Sequence, residues 1–231
     1  MDTSPIKIQR GMTRQIQTWR DLVASRDHRL GWKVGFNMVA DQQRLKLPSA
    51  MVGYLTKERS LISGSQYKSS PNSVLLVEPE IAILIGNDVP ANATAEQANA
   101  AIKAYTAALE LVDTTRSVDN DIEEILGCNM FHESVLLAEQ RLAPNAYIRD
   151  QLTISLSINN NEIRTLEQQR VPQNFSIIIC DVANILTAHG EQLKKGDWII
   201  TGAAAKPAPV HSGDKIALDM GTLGKISLNI E

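Results

Sequence analysis

Residues 74–85 read VLLVEPEIAILI, and the reading of the fold starts from this stretch. Its aliphatic and β-branched residues, closed by Gly86-Asn87-Asp88, predict a buried strand ending in a turn. Two acids interrupt it. Residues i and i+2 of a strand share a face, so Glu78 and Glu80 project side by side. Two buried carboxylates this close repel each other, and each is costly to desolvate. A divalent cation with oxygen ligands would remove the penalty. A solvated edge face would remove it too, so the pair alone leaves both readings open. Pro79 cannot donate to a sheet ladder and predicts an edge or a bulge here.

A third acid shifts the balance toward the cation. Glu110 sits in AALELVD (107–113), again among apolar residues, with Asp113 as a nearby competitor. Three carboxylates leave coordination positions open for water and substrate, as a catalytic Mg2+ or Mn2+ requires. Lys33, in GWKVG (31–35), is the next candidate. Apolar and glycine neighbours predict a desolvated lysine whose lowered pKa suits acid/base work; a lysine on a solvent face is the plainer alternative. His132 is a lone histidine, a residue type that is more often a hydrogen-bonder than a base.

The rest of the chain reads as β-rich α+β. Met12, Ile16, Trp19, Leu22 and Val23 recur at helical spacing over 9–26. Residues 29–36 predict a strand with close backbone approaches at Gly31 and Gly35. Residues 41–47 suit one or two helical turns, and 63–72 a loop or hairpin. Thr94 and Gln97 form a capping box. The helix it opens is expected to run through the alanine-rich residues that follow and blend into a strand near 108–113. Strands are expected at 134–137, 152–158, 162–166, 198–201, 215–220 and 225–230, with a helix over 175–189 closed by Gly190. The division read is a helical N-terminal segment, 1–29, before a body spanning 30–231.

Composition narrows the function classes. The chain has 231 residues, 43% hydrophobic, with a net charge of −3. No basic field points to nucleic acid. Cys128 and Cys180 are far apart and read as reduced thiols. The first residues lack an apolar segment of signal-peptide type, and no apolar run approaches the roughly 20 residues that span a bilayer. A cytoplasmic protein without membrane contact is expected.

Four blocks in order, GWKVGFN, VEPEIAILIGNDV, AALELVDTT and the stretch LKKGDWIITGAAAKPAPVHSGDKIALDMGTLGKISLNI, resemble the fumarylacetoacetate hydrolase superfamily. Within it they are most similar to the 2-keto-4-pentenoate hydratase and 4-oxalocrotonate decarboxylase branch. The resemblance covers the chain from about Leu30 onward. It implies a mixed β-sandwich-like roll with flanking helices and a homo-oligomer. It also implies a lyase for a small 2-oxo acid, a hydratase first and a decarboxylase or acylpyruvate hydrolase as alternatives, or else an inert metal-binding scaffold. Glu78, Glu80 and Glu110 fall on the acids that hold Mg2+ or Mn2+. Lys33 falls on an active-site lysine, and Thr201, Gly202 and Asn129 fall beside the substrate.

Three departures from the family pattern stand out. Only about thirty residues precede the Lys33 block. Where relatives read P-D-F/Y-G, this chain has Ser49-Ala50-Met51-Val52-Gly53, without the acid. Where they read D-N-A-S-S-G, it has Cys128-Asn129-Met130-Phe131-His132-Glu133. The His–Glu pair of the C–C hydrolase branch is not found near the N-terminus.

Overall fold

The Glu-Pro-Glu stretch lies at the centre of the main sheet, in an eleven-residue strand. The structure is a computed structural model describing residues 3–116 and 121–231. In chain order the elements are α1 (Pro5–Ser25), β1 (Arg29–Gly35), α2 (Val39–Leu45), β2 (Met51–Thr56), β3 (Ser60–Leu61), β4 (Ser65–Tyr67) and β5 (Leu75–Ile85). There follow α3 (Ala95–Ala100), β6 (Ile102–Asp113), α4 (Ile122–Gly127), β7 (His132–Leu137), β8 (Ser155–Ile158), β9 (Asn161–Thr165) and α5 (Phe175–Ala188). The chain closes with β10 (Trp198–Ala203), β11 (Ala208–Val210), β12 (Lys215–Asp219) and β13 (Lys225–Ile230).

An eight-stranded mixed sheet runs β2-β1-β10-β5-β6-β7-β3, with β11 also on β5. A five-stranded sheet runs β4-β13-β12-β8-β9. One face of the first sheet carries Val77, Ile81, Ile83, Leu109 and Leu111 into a core shared with Leu156, Leu218 and Leu228 of the second. The other face carries the acids at one end and a small apolar group, Leu55, Ala82, Ala108, Val135 and Ile200, beside them. This is an α+β fold of mixed sheets with flanking helices, as expected.

Helices close the edges. The apolar stripe of α1 buries Met12, Ile16 and Trp19, while Gln15 Nε2 donates to Val52 O of β2 at 2.7 Å. Lys7 and Arg14 pair with Asp121 and Glu124 around α4. The stretch 168–188 is long and apolar enough to cross a membrane, but Phe175, Ile179, Val182 and Leu186 of α5 are core residues.

Two expectations need correction. The Thr94 capping box is present, but the helix it opens stops at Ala100. From Ile102 the chain is strand, paired with β5 along its whole length and buried on both faces. Alanine's helix propensity is a weak prior, and two-sided burial in a sheet overrides it. Pro79 does not sit on an edge either. It faces Leu109 of β6, and on its other side the chain shifts register between Ile200 and Ala203 before β11 takes over the pairing. The bulge lies on β10, between Ile200 and Ala203 and opposite Glu80–Ala82, while Pro79 itself stays in regular register with β6.

Candidate metal centre

The ladder assembles the acids. Glu78 and Glu110 are direct register partners, and Glu80 lies two residues along β5 on the same face. One oxygen from each lies within 4.8 Å of the others. Glu80 and Glu110 are each 1% exposed, and Glu78 opens onto the cavity. Carboxylate oxygens in this number fit a hard divalent cation such as Mg2+ or Mn2+ better than a soft one.

Lys33 comes from the other side of the sheet. On β1 it lies in register with Ile200 of β10, which pairs with Ala82 of β5. Its Nζ donates to Glu110 Oε1 at 2.5 Å and to Met130 O at 3.3 Å. Gly53 permits this. A Cβ there would sit 2.7 Å from Lys33 Cγ and 2.5 Å from Asn129 Oδ1. Gly31 and Gly35 also meet close neighbours, Trp198 and Met130.

The charges sort themselves by partner. Burial opposes ionisation of Glu110, but Lys33 and His132 outweigh it and bring its pKa down to about 2. Burial, reinforced by Glu110, pushes Glu78 up to about 7. Burial and the same neighbour hold Glu80 well above the carboxylate range. The sequence predicted a lowered Lys33 pKa, and here the direction is reversed. Burial acts downward as expected, yet Glu110 and Glu78 outweigh it and hold the ammonium above its usual value. Without a cation, the site therefore resists carrying three negative charges.

Above the cluster lies a cavity of about 290 Å³. Phe36, Leu76, Val112, Phe131 and Pro207 give it apolar walls, and Lys33, Glu78, Glu110 and Arg170 are its ionisable lining groups. A roomier groove of about 680 Å³ between α1 and α2 has no carboxylate in its lining and shares no residue with this cavity.

The family model for the fumarylacetoacetate hydrolase C-terminal domain matches residues 17–231. The chain belongs to this family. A 4-oxalocrotonate decarboxylase from a Pseudomonas species is 22% identical over 215 residues, covering 91% of this chain and 83% of the relative. The solved 4-oxalocrotonate decarboxylase from Pseudomonas putida G7, complexed with magnesium and adipate, superposes with a TM-score of 0.86. It is 19% identical and covers 94% of this chain and 83% of its own. Fumarylpyruvate hydrolase from Pseudomonas aeruginosa, complexed with Mn2+ and pyruvate, superposes at 0.66 with 14% identity, covering 88% and 89%.

In this fumarylacetoacetate hydrolase family member the remaining candidates divide. Gly202 lines the cavity, and its N–H donates to Glu80 Oε2 at 2.6 Å. Its φ is +94°, and a Cβ would run into Asn37. Thr201 is 1% exposed and gives its hydroxyl to Ile81 O at 3.0 Å. Asn129, expected beside the substrate, is instead a clasp. Its Oδ1 accepts from Tyr54 N and its Nδ2 donates to Tyr54 O, both at 2.9 Å, and it does not line the cavity. The sequence reading passed over Arg170 and took His132 for a hydrogen-bonder more often than a base, without assigning it to the site. Arg170 lines the cavity while its Nε donates to Glu167 at 3.0 Å. Buried His132 lies 2.7 Å from Glu110 through Nδ1. Neither position carried a motif that would have found it.

Proposed function

We propose that this protein is a divalent-metal-dependent lyase for a small 2-oxo acid, with decarboxylation favoured over hydration. The observation that carries the reading is the clustering of Glu78, Glu80 and Glu110, with Lys33 on Glu110, against a cavity that Lys33, Glu78 and Glu110 line. The three glutamates would hold Mg2+ or Mn2+, which supplies Lewis-acid charge for the oxyanion developing on the substrate's 2-oxo group. Relatives crystallised with magnesium or Mn2+ support the same assignment.

The chain's own groups supply the rest. Arg170 offers a planar cation to a carboxylate. Phe36, Phe131 and Val112 keep water from the reacting carbons. As the distal carboxylate of an unsaturated 2-oxo diacid leaves as carbon dioxide, the pair of the broken carbon–carbon bond passes through the alkene to the 2-oxo oxygen. One proton, taken up at that oxygen or at carbon, completes the product, and the charged Lys33 Nζ is the donor at hand. Hydration needs in addition a base to take a proton from water. Among the described residues, the lining carboxylates are Glu78 and Glu110, both committed to the cluster.

The test is a calorimetric titration of metal-stripped protein with Mg2+ or Mn2+, then oxalate, which mimics the chelating end of a 2-oxo acid. Oxalate binding only when metal is present supports the reading. Release of carbon dioxide from unsaturated 2-oxo diacids, without water addition to 2-hydroxydienoates, then selects decarboxylation. A protein that binds no metal sinks the assignment.

A further inference from the structure

We infer that His132 is a positioning residue that, with Lys33, occupies one oxygen of Glu110, so that Glu110 meets the cation through Oε2 alone. The inference rests on the three-glutamate reading and adds to it a residue that the family resemblance does not assign.

The geometry is specific. Lys33 Nζ and His132 Nδ1 both reach the same atom, Glu110 Oε1, at 2.5 and 2.7 Å. An oxygen accepting two such bonds has no lone pair left to direct at a metal. The backbone is also arranged for this contact. Leu111 pairs with Ser134 but Val112 pairs with His132, so β7 carries one extra residue, Glu133. In regular alternation from Val135, which opposes Glu110, His132 would point to the opposite face. The bulge brings it onto the face of Glu110, a re-aiming that bulges near sites commonly perform.

His132 is fully buried at its side chain, and its Nε2 has no partner among the described residues. A buried nitrogen left bare costs free energy, so the ring is not placed there for its own satisfaction. Among the described residues, the ring's one polar contact is Glu110. With Glu110 ionised, Nδ1 carries the proton and donates. A donor on a ligating carboxylate fixes the carboxylate's rotation and tunes metal affinity.

The test compares wild type with His132→Asn and His132→Gln. Asparagine places an amide N–H near the position of Nδ1, whereas glutamine places its amide near Nε2. Mn2+ is titrated calorimetrically into each metal-stripped protein, and the paramagnetic resonance spectrum of bound Mn2+ reports its ligand symmetry. Unfolding midpoints of the metal-free proteins are recorded alongside. The expected result is Mn2+ affinity within about threefold of wild type for His132→Asn and a loss of about 10- to 100-fold, with an altered spectrum, for His132→Gln. Equal affinities and spectra in all three overturn the inference. So does a folded His132→Asn that loses affinity as His132→Gln does, since the ring would then act by packing. Failure of the underlying reading looks different, because wild type itself would bind Mn2+ no better than Glu80→Gln.

Discussion

Glu78 and Glu110, thirty-two positions apart in the chain, stand directly opposite each other on neighbouring strands, with like charges on one face. Sheets normally avoid this pairing, because like charges across a ladder destabilise it. The fold retains it with Lys33 and His132 on Glu110 and with Glu78 held toward its neutral form. Occupation by a cation would reverse that last condition.

Metal affinity should therefore rise with pH. Ligating carboxylates must shed their protons, and burial with Glu110 raises Glu78 to about 7 and Glu80 well above its usual range. Affinity should climb up to and through pH 7. Metal-free stability should move oppositely. An acid whose pKa is raised on folding binds more protons folded than unfolded, so stability present below about pH 4.5 is lost as pH rises toward 7. Glu110 acts in a separate window, its contribution disappearing as pH falls from the ordinary carboxylate range toward 2. Titration calorimetry and thermal melts across pH 5–8 would check both slopes. A flat metal affinity would contradict them.

Glu80→Gln separates binding from stability. Glutamine keeps an acceptor for the Gly202 N–H but removes a buried, repelled carboxylate. The metal-free melting temperature should hold or rise by about 2–4 °C, the shift of roughly 1 kcal/mol at this chain length. The further rise on adding Mn2+ should disappear, along with turnover. A variant that still gains stability from Mn2+ as wild type does would remove Glu80 from the ligand set.

Part of this site was legible in the sequence because strands alternate. Period two alone places Glu78 and Glu80 on one face, and the apolar surroundings of Glu110 mark it as the third acid. Its pairing opposite Glu78 was hidden, because alanine-rich residues 100–108 carry a helical preference that only burial in the sheet overrides. The direction of the Lys33 shift depends on partners distant in sequence. His132 reaches Glu110 through a one-residue bulge, and no periodicity announces a bulge. Asn129 was placed by resemblance beside the substrate, whereas its left-handed backbone and two bonds to Tyr54 make it a structural clasp.

That clasp gives its own prediction. Asn129, Met130 and Phe131 all have positive φ, a costly run for residues that carry a Cβ. Asparagine tolerates this conformation better than alanine does. Asn129→Ala should destabilise the protein by about 2–4 kcal/mol through two lost backbone bonds and added strain. Chemical denaturation measures this. Mn2+ affinity of the folded fraction should change little, since no glutamate is touched. A large loss of affinity with unchanged stability would return Asn129 to the site.

Lys33→Met tests the ammonium. Methionine keeps much of the stem that packs on Gly53 but leaves Glu110 ionised with His132 as its remaining donor. Breaking a buried pair from one side costs about 3–5 kcal/mol. Metal-free protein should lose stability on that scale. Saturating Mn2+ should restore part of it, because a cation would compensate the same carboxylate. Turnover should not recover with it, because the proton donor is gone. Recovery of turnover with metal alone would show that Lys33 serves only to neutralise Glu110.

Arg170 separates a diacid substrate from a monoacid. It is the cavity's second cation, tied through Nε to Glu167. A bidentate guanidinium–carboxylate contact is lost by truncation and only partly replaced by a point charge. Arg170→Ala should therefore raise KM for 2-oxo diacids about 10- to 100-fold, a loss of roughly 1.5–3 kcal/mol in a charged hydrogen bond. Binding of oxalate to the metal-loaded protein should stay near wild type, because oxalate has no distal carboxylate to lose. Arg170→Lys should fall between. If Arg170→Ala weakened oxalate and diacids equally, the arginine would be acting on the chelating end. The distal carboxylate would then have to be recognised by another part of the cavity.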